Sequence, residues 1–194
     1  LFEWQLSDKA LSILARMGSG SDCRSFWPGF VEWQGGKQDD GSDSFAKPLT
    51  DKWPGLCIGL LIFETGEKPH SSTQAMLNCA KTSPSFKEWP EQHANDLSEF
   101  KKALNEKDFV LLGEVSERNA QAMHQTIIDS QPAIDYSTKE TSRLKERVWQ
   151  LRKEGVPVYF TQDAGPNLKL IFEKVSQTII EAHFPSVEIV EVFT

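Results

Sequence analysis

The chain has 194 residues, of which 39% are hydrophobic and 25% charged, as is typical of a globular protein with one domain or slightly more. Its net charge of −7, with basic residues interspersed among acidic ones, argues against a nucleic-acid-binding surface. Its three cysteines lack metal-binding spacing, and the longest apolar run is too short to cross a bilayer, so we expect a cytoplasmic protein without disulfides, structural zinc or membrane spans.

An opening helix and three strands are expected in the first third of the chain. In residues 6–17, LSDKALSILARM, apolar residues recur at helical spacing after Ser7, a favourable N-cap. Residues 30–34 and 44–49 lie on either side of a polar turn and have the patterning of two strands. The apolar run over 56–63 has the length of a buried strand, which we expect at the centre of a sheet.

Helices are expected in the middle of the chain. The first covers residues 72–82, and a long helical region follows over 86–128 with breaks near Pro90 and Asn105. Residues 137–155 have Ser137 or Thr138 as a cap, basic residues late and a terminal glycine, which predict a further helix. The remaining elements are expected to be strands over 156–160, 167–173 and 186–193 and a helix over 174–184. Together they predict an α+β fold in which helices pack on a mostly antiparallel sheet.

MGSGSDCRS, residues 17–25, permits two interpretations. Its glycines allow close backbone approach to a ligand, and Ser19, Ser21 and Arg24 supply donors that suit an anion. Glycine and serine are equally typical of a surface linker, and Arg24 could instead pair with Asp22 or Glu32 while the serines only cap. The residues alone leave both interpretations open.

Two further segments place polar groups at the ends of predicted elements. In QDAGPN, residues 162–167, Asp163 follows a strand and suits a general base, a metal ligand or a turn former. Ser71 or Ser72 begins a helix whose N-terminus suits an anion, although ordinary capping explains the same hydroxyls. His124 has apolar neighbours in a helical segment, where a structural histidine is more common than a catalytic one.

Four segments together resemble the diphosphomevalonate decarboxylases of the GHMP kinase superfamily. MGSGSDCRSFWPGFVEWQGGKQDDGSDSFA is similar to that family's GSGSxCRSxxGGFVxW segment and its DGxDS turn. SSTQAM resembles its SSTxxM helix start, AMHQTIIDSQPAIDY its FHATxLDxxPPIxY, and YFTQDAGPN its YTFDAGPN. The matches occur in the family's order with similar spacings, and they cover nearly the whole chain.

The resemblance implies an enzyme that uses ATP to phosphorylate the tertiary 3-hydroxyl of mevalonate 5-diphosphate. The phosphorylated intermediate then loses phosphate and CO₂ to give isopentenyl diphosphate. Matched residue by residue, it makes Asp163 the catalytic aspartate and Arg24 the arginine that binds the substrate carboxylate. The substrate-binding positions that it implies are Ser19, Ser21, Ser72 and Met76. It also implies ATP and Mg²⁺ as cofactors, no metal ligand among these residues, and a homodimer.

The same resemblance implies two domains. Residues 1–50 are expected to form the end of an N-terminal GHMP domain, including the substrate loop, and residues 51–194 a ferredoxin-like C-terminal domain. The family's glycine-rich ATP loop and N-terminal substrate-binding lysine have no counterpart in these residues. Since the chain also begins without methionine, we expect those parts to lie upstream.

Three departures from the family pattern bear on substrate preference more than on reaction class. Asp22 stands where the family usually has a small residue, Pro28 replaces a glycine, and Gln162 replaces the aromatic residue before the catalytic aspartate. The alternatives are a decarboxylase acting on mevalonate 5-phosphate and a mevalonate 3-kinase. A non-catalytic GHMP-fold binding protein is less consistent with the presence of both Asp163 and Arg24.

Overall fold

The structure is a computed structural model that describes residues 5–49, 52–66 and 71–193. The chain divides into two compact units, each with its own antiparallel sheet. The first unit comprises Leu1–Pro54 and Val192–Thr194, and the second comprises Gly55–Glu191.

The first unit joins a helix to a small sheet. Its described elements are α1 (Asp8–Arg16), a 3₁₀ turn (Asp22–Arg24), β1 (Val31–Trp33) and β2 (Ala46–Pro48). Ser7 caps α1 as predicted, because its Oγ accepts a hydrogen bond from Ala10 N at 3.3 Å. The fully buried Ser12 then links the elements, since its Oγ donates to Cys23 O at 3.0 Å and accepts from Ala46 N at 2.8 Å. One buried hydroxyl thus holds α1, the 3₁₀ turn and β2 together.

The second unit is a sheet with helices on both faces. Its described strands and α-helices are β3 (Leu56–Leu61), α2 (Ser72–Thr82), α3 (Trp89–Glu106), α4 (Phe109–Ile128), α5 (Lys139–Lys153), β4 (Val158–Thr161), β5 (Leu168–Glu173), α6 (Gln177–His183) and β6 (Glu188–Glu191), with 3₁₀ turns at Ser85–Lys87 and Lys174–Ser176. The strand order is β4-β5-β3-β6, and every neighbouring pair is antiparallel. The apolar run therefore supplies an internal strand, β3, and the predicted α+β fold is confirmed.

One face of this sheet packs against α5 and α6. The buried side chains that form this core are Cys57, Leu61, Leu144, Val148, Leu151, Val158, Phe160, Leu168, Leu170, Phe172, Ile180 and Phe184. Alternate residues of β4 and β5 contribute to it, as the two-residue period of a strand requires.

The long helical region is interrupted twice, because a 3₁₀ turn (Ser85–Lys87) precedes α3 and a second break separates α3 from α4. Pro90 lies in the first turn of α3, where its missing N–H leaves no helical hydrogen bond unmade, so it marks a helix start. The break expected near Asn105 falls at Lys107, which adopts a left-handed conformation with φ 56°. Asp108 then caps α4, because its Oδ1 accepts from Leu111 N at 3.0 Å.

Gly113 lets α4 lie directly on the other face of the sheet. A Cβ atom at this position would lie 2.0 Å from Cδ2 of Tyr159, which is itself buried on β4. We expect Gly113→Ala to lower the free energy of unfolding by roughly 1–3 kcal/mol, since overpacking outweighs alanine's better helix propensity. Urea unfolding measures this, with Gly35→Ala, whose Cβ would meet no atom within 4 Å, as the control. A Gly113→Ala protein as stable as its parent would contradict this close packing.

Candidate active site

Asp163 lies in the loop between β4 and β5, two residues after the end of β4. Its main-chain carbonyl accepts hydrogen bonds from Gly165 N at 2.7 Å and from His124 Nε2 at 3.1 Å. Its side chain is 78% exposed, and Oδ2 pairs with Nζ of Lys169 on β5. The main chain is therefore fixed from within the protein while the carboxylate is accessible.

This carboxylate borders a cavity of about 620 Å³ on the second unit. A cavity of this size suits a small molecule. Its walls include the apolar side chains of Leu60, Ile62 and Pro166. The charged residues that line it are Glu64, Asp135, Asp163 and Lys169. The cavity thus combines an apolar wall with an accessible carboxylate, as an acid–base site requires.

Asn167 fixes the rim of this cavity. Its Oδ1 accepts from Phe63 N and Glu64 N, both at 3.1 Å, and its Nδ2 donates to Glu64 O at 2.8 Å. These bonds join the loop that carries Asp163 to the segment after β3. The asparagine of QDAGPN is therefore a cross-link between two strand ends.

Two buried polar side chains hold the turn that follows Asp163. Gln162, which is 2% exposed, donates from Nε2 to Gly165 O at 2.8 Å. Thr141 of α5 donates from Oγ1 to Pro166 O at 2.9 Å. Gln162 therefore lies inside the turn, on the side away from solvent.

His124 supports Asp163 from the buried side. Its side chain is 5% exposed and meets the ring of Tyr136 edge-on, with centroids 6.3 Å apart. Burial, together with the charge of Lys145, lowers the pKa of His124. The imidazole is therefore neutral at neutral pH, and Nε2 carries the proton that it donates to Asp163 O.

Stability is expected to fall in acid because of this histidine. Unfolded His124 has an ordinary pKa near 6.5, so below that pH the unfolded chain binds a proton that the folded protein resists. The free energy of unfolding should then decrease by at most about 1.4 kcal/mol per pH unit. Urea unfolding at pH 7.5 and 5.5 should show a weaker pH dependence for His124→Gln than for the parent or for His93→Gln, which keeps His124. An equal pH dependence in all three proteins would contradict the assignment.

The loop over 17–25 is held within the first unit. Cys23 is buried, its Sγ donates to Gly20 O at 3.1 Å, and its carbonyl accepts the Ser12 bond described above. The hydroxyls of Ser19 and Ser21 lie 2.9 Å apart. This packing distinguishes the loop from a linker and presents two adjacent hydroxyls.

Arg24 ends the 3₁₀ turn of this loop, and its side chain is exposed. Among residues 5–49, 52–66 and 71–193 it makes no ion pair with Asp22 or Glu32, and Glu32 pairs with Lys47 at 3.5 Å. The guanidinium is therefore available to an anionic ligand. Arg24, Ser19 and Ser21 belong to the first unit.

Ser72 and Met76 lie on α2 in the second unit, which also contains Asp163. Ser71 is the N-cap residue, but its side chain makes no capping hydrogen bond. Ser72 is the first helical residue and is exposed. Met76 packs on a buried cluster that includes Ala164, the residue next to Asp163. The substrate-binding roles of Ser72 and Met76 stay predictions.

Sequence reasoning did not single out Lys169 or Asn167 as site residues. Lys169 is the polar residue of the alternating strand NLKLIFE, a pattern shared by any half-exposed strand. One feature of the sequence could have identified Lys169. It lies on the strand that follows the QDAGPN turn, and an antiparallel return of that strand brings Lys169 beside Asp163.

The described part of the chain offers neither a membrane-spanning helix nor a metal cluster. Over residues 5–49, 52–66 and 71–193, no helix combines the length and the hydropathy needed to cross a membrane. Over the same residues, no three His, Cys, Asp or Glu side chains group closely enough to hold a metal ion.

Family models match both parts of the chain. The model described as mevalonate 5-diphosphate decarboxylase C-terminal domain matches residues 58–191, and the one described as diphosphomevalonate decarboxylase-like N-terminal domain matches residues 1–46. The chain is 35% identical to the diphosphomevalonate decarboxylase of Rattus norvegicus over 162 residues, which are 81% of this chain and 40% of that protein. It spans about half the length of the curated relatives it matches, between 40% and 53%.

Solved structures show the same fold. Mevalonate diphosphate decarboxylase from Staphylococcus aureus superposes with a TM-score of 0.91 at 35% identity, covering 98% of this chain and 59% of that one. A second structure, MDDEF in complex with MVAPP, AMPPCP and magnesium, gives a TM-score of 0.87 at 35% identity, covering 96% and 62%. These matches confirm the expected GHMP-type α+β fold. The chain belongs to the diphosphomevalonate decarboxylase family.

Proposed function

We propose that the full-length protein converts mevalonate 5-diphosphate to isopentenyl diphosphate, with ATP consumed and ADP, phosphate and CO₂ released. The observation that carries this proposal is the accessible carboxylate of Asp163, which borders the cavity from a loop whose main chain is held by His124 and Gly165. The names of the relatives support the substrate and the reaction.

Asp163 is assigned as the general base. A tertiary alcohol is a poor nucleophile, so a carboxylate must orient the 3-hydroxyl and accept its proton as the oxygen bonds to phosphorus. The hydroxyl O–H bond breaks and its proton passes to a carboxylate oxygen of Asp163, while the oxygen bonds to the γ-phosphorus of ATP and the P–O bond to ADP breaks. Asp163 then releases the proton to solvent. When the C3–O bond breaks and phosphate leaves, the carboxylate of Asp163 stabilises the positive charge that develops at C3, and the electron pair of the bond to the departing CO₂ forms the double bond.

Arg24 and the serines are assigned to substrate binding. A planar guanidinium can hold the substrate carboxylate through two parallel hydrogen bonds, which aligns the C–C bond that breaks with the leaving group. Ser19, Ser21 and Ser72 carry exposed or half-exposed hydroxyls that suit phosphate oxygens, and Met76 is likewise assigned to substrate binding.

Residues 1–50 are assigned to the end of the N-terminal GHMP domain and residues 51–194 to the C-terminal domain. The ranges of the two family models, 1–46 and 58–191, support this division.

The solved relative with AMPPCP and magnesium supports ATP and Mg²⁺ as cofactors, with ATP as the phosphoryl donor. The family resemblance implies a homodimer, and the free cysteines Cys23, Cys57 and Cys79 fit a cytoplasmic location.

Substrate discrimination tests the proposal. The full-length enzyme is assayed with mevalonate, its 5-phosphate and its 5-diphosphate, and kcat/KM for CO₂ release is compared. We expect the highest value for the 5-diphosphate. A preference for the 5-phosphate would assign the enzyme to the alternative decarboxylase, and ADP release without CO₂ from any of the three would indicate a 3-kinase.

A further inference from the structure

Lys169 is placed beside Asp163 by the register of the sheet. It pairs with Thr161, the last residue of β4, across the antiparallel β4–β5 ladder. Asp163 follows two residues later, in the loop that returns to β5. The ammonium of Lys169 therefore lies at the same edge of the cavity as the carboxylate, and Nζ donates to Oδ2 of Asp163.

The carboxylate of Asp163 has no other support among the described residues. His124 and Gly165 bind its main-chain oxygen, which fixes the backbone but leaves the side-chain torsions free. Within residues 5–49, 52–66 and 71–193, Lys169 is the one side chain that binds this carboxylate, and Oδ1 has no protein partner. The hydrogen bond from Lys169 to Oδ2 therefore also determines the direction in which Oδ1 points.

We propose that Lys169 is the positioning residue for the catalytic Asp163. Its ammonium engages Oδ2 and holds Oδ1 towards the cavity, where Oδ1 accepts the proton of the substrate hydroxyl. This inference rests on the proposed function, because it gives Lys169 a role in that reaction. Lys169 acts through Asp163 and not on the substrate itself.

Lys169→Met in the full-length enzyme tests this role. We expect kcat to fall roughly 10- to 100-fold, because a base misplaced by about 1 Å loses that much. KM for mevalonate 5-diphosphate should stay within about threefold, since Lys169 does not bind the substrate. Lys169→Arg, which keeps a cationic donor, should recover most of kcat. The melting temperature should be unchanged in both, because an exposed ion pair contributes little to folding.

Two further variants distinguish the positioning of the Asp163 carboxylate from the general effect of removing an exposed ion pair. Lys174→Met removes a similar exposed ion pair, with Glu191 at 2.6 Å, from residues that do not line the cavity, and its kcat should equal that of the parent. Lys169→Met added to Asp163→Asn should cause no further loss, since residues that act as one unit are non-additive.

The outcomes distinguish this inference from the proposed function. An active parent together with a Lys169→Met variant of unchanged kcat would overturn the role of Lys169 alone. A raised KM at unchanged kcat would assign Lys169 to substrate binding and equally overturn positioning. A parent that releases no CO₂ from mevalonate 5-diphosphate would overturn the proposed function and this inference with it.

Discussion

Asp163→Asn is expected to lower kcat of the full-length enzyme by at least about 10²–10⁴-fold, the range for loss of a general base. The amide has nearly the same shape but cannot accept the hydroxyl proton or stabilise positive charge at C3. Substrate affinity should change far less, because removing a carboxylate relieves repulsion of a polyanionic ligand. Steady-state kinetics with mevalonate 5-diphosphate measure both quantities.

The fold should survive this change. The two hydrogen bonds that fix the loop are accepted by the main-chain oxygen of Asp163, which asparagine retains. Asp108→Asn is the matched control, since it makes the same substitution at an exposed N-cap where asparagine caps equally well. If Asp163 is only a turn former, Asp163→Asn keeps its activity. A stable Asp163→Asn variant whose kcat lies within about tenfold of the parent's would contradict the assignment of Asp163 as the general base.

Arg24→Lys is expected to reduce kcat/KM by roughly 10²-fold although the positive charge is kept. The ammonium of lysine is a point charge, and it cannot reproduce the two parallel hydrogen bonds that a guanidinium makes to a carboxylate. The absence of an ion pair to Asp22 or Glu32 means that the substitution breaks no such support in the described part of the chain. The loss should therefore appear in kinetics and not in the melting temperature.

Arg143→Lys provides the matched control for Arg24→Lys. Arg143 pairs at 2.6 Å with Glu140 on the surface of α5, with 71% of its side chain exposed. Kinetic constants of this control should equal those of the parent. Near-full turnover of the Arg24→Lys enzyme would show that Arg24 does not orient the substrate carboxylate.

Local signals were sufficient to predict the elements of this fold. Ser7 and Thr138 lie directly before their helices, and the side chain of each accepts the expected capping hydrogen bond. The apolar run over 56–63 predicted an internal strand because its length suits a strand and a strand covered on both faces is rich in apolar residues; β3 is indeed internal. These features depend on neighbouring residues, so the sequence alone is enough to find them.

The support of the site depends on distant residues, and for that reason sequence reasoning did not find it. The hydrogen bonds of Asn167 reach 103 and 104 residues back, and those of Ser12 reach 11 and 34 residues forward. In the sequence, Asn167 is an ordinary turn residue and Ser12 a polar residue in a helix. Their partners are defined only once the sheet and the loops are assembled.

The site residues were found by resemblance and not by pattern. On its own, Asp163 could be a base, a metal ligand or a turn former, with turn former the commonest role, and exposure of its side chain is compatible with each. The family motif selected among these roles. The cavity and the pairing with Lys169 then added the geometry on which its proposed role depends.

The proposed reaction is tested most directly by measuring ADP and CO₂ released together from mevalonate 5-diphosphate by the full-length enzyme and by its Asp163→Asn variant. We expect equimolar ADP and CO₂ from the parent, with isopentenyl diphosphate as the organic product, and loss of both signals together in the variant. ADP released by the parent without CO₂, or equimolar release that persists at the parent's rate in Asp163→Asn, would contradict this expectation.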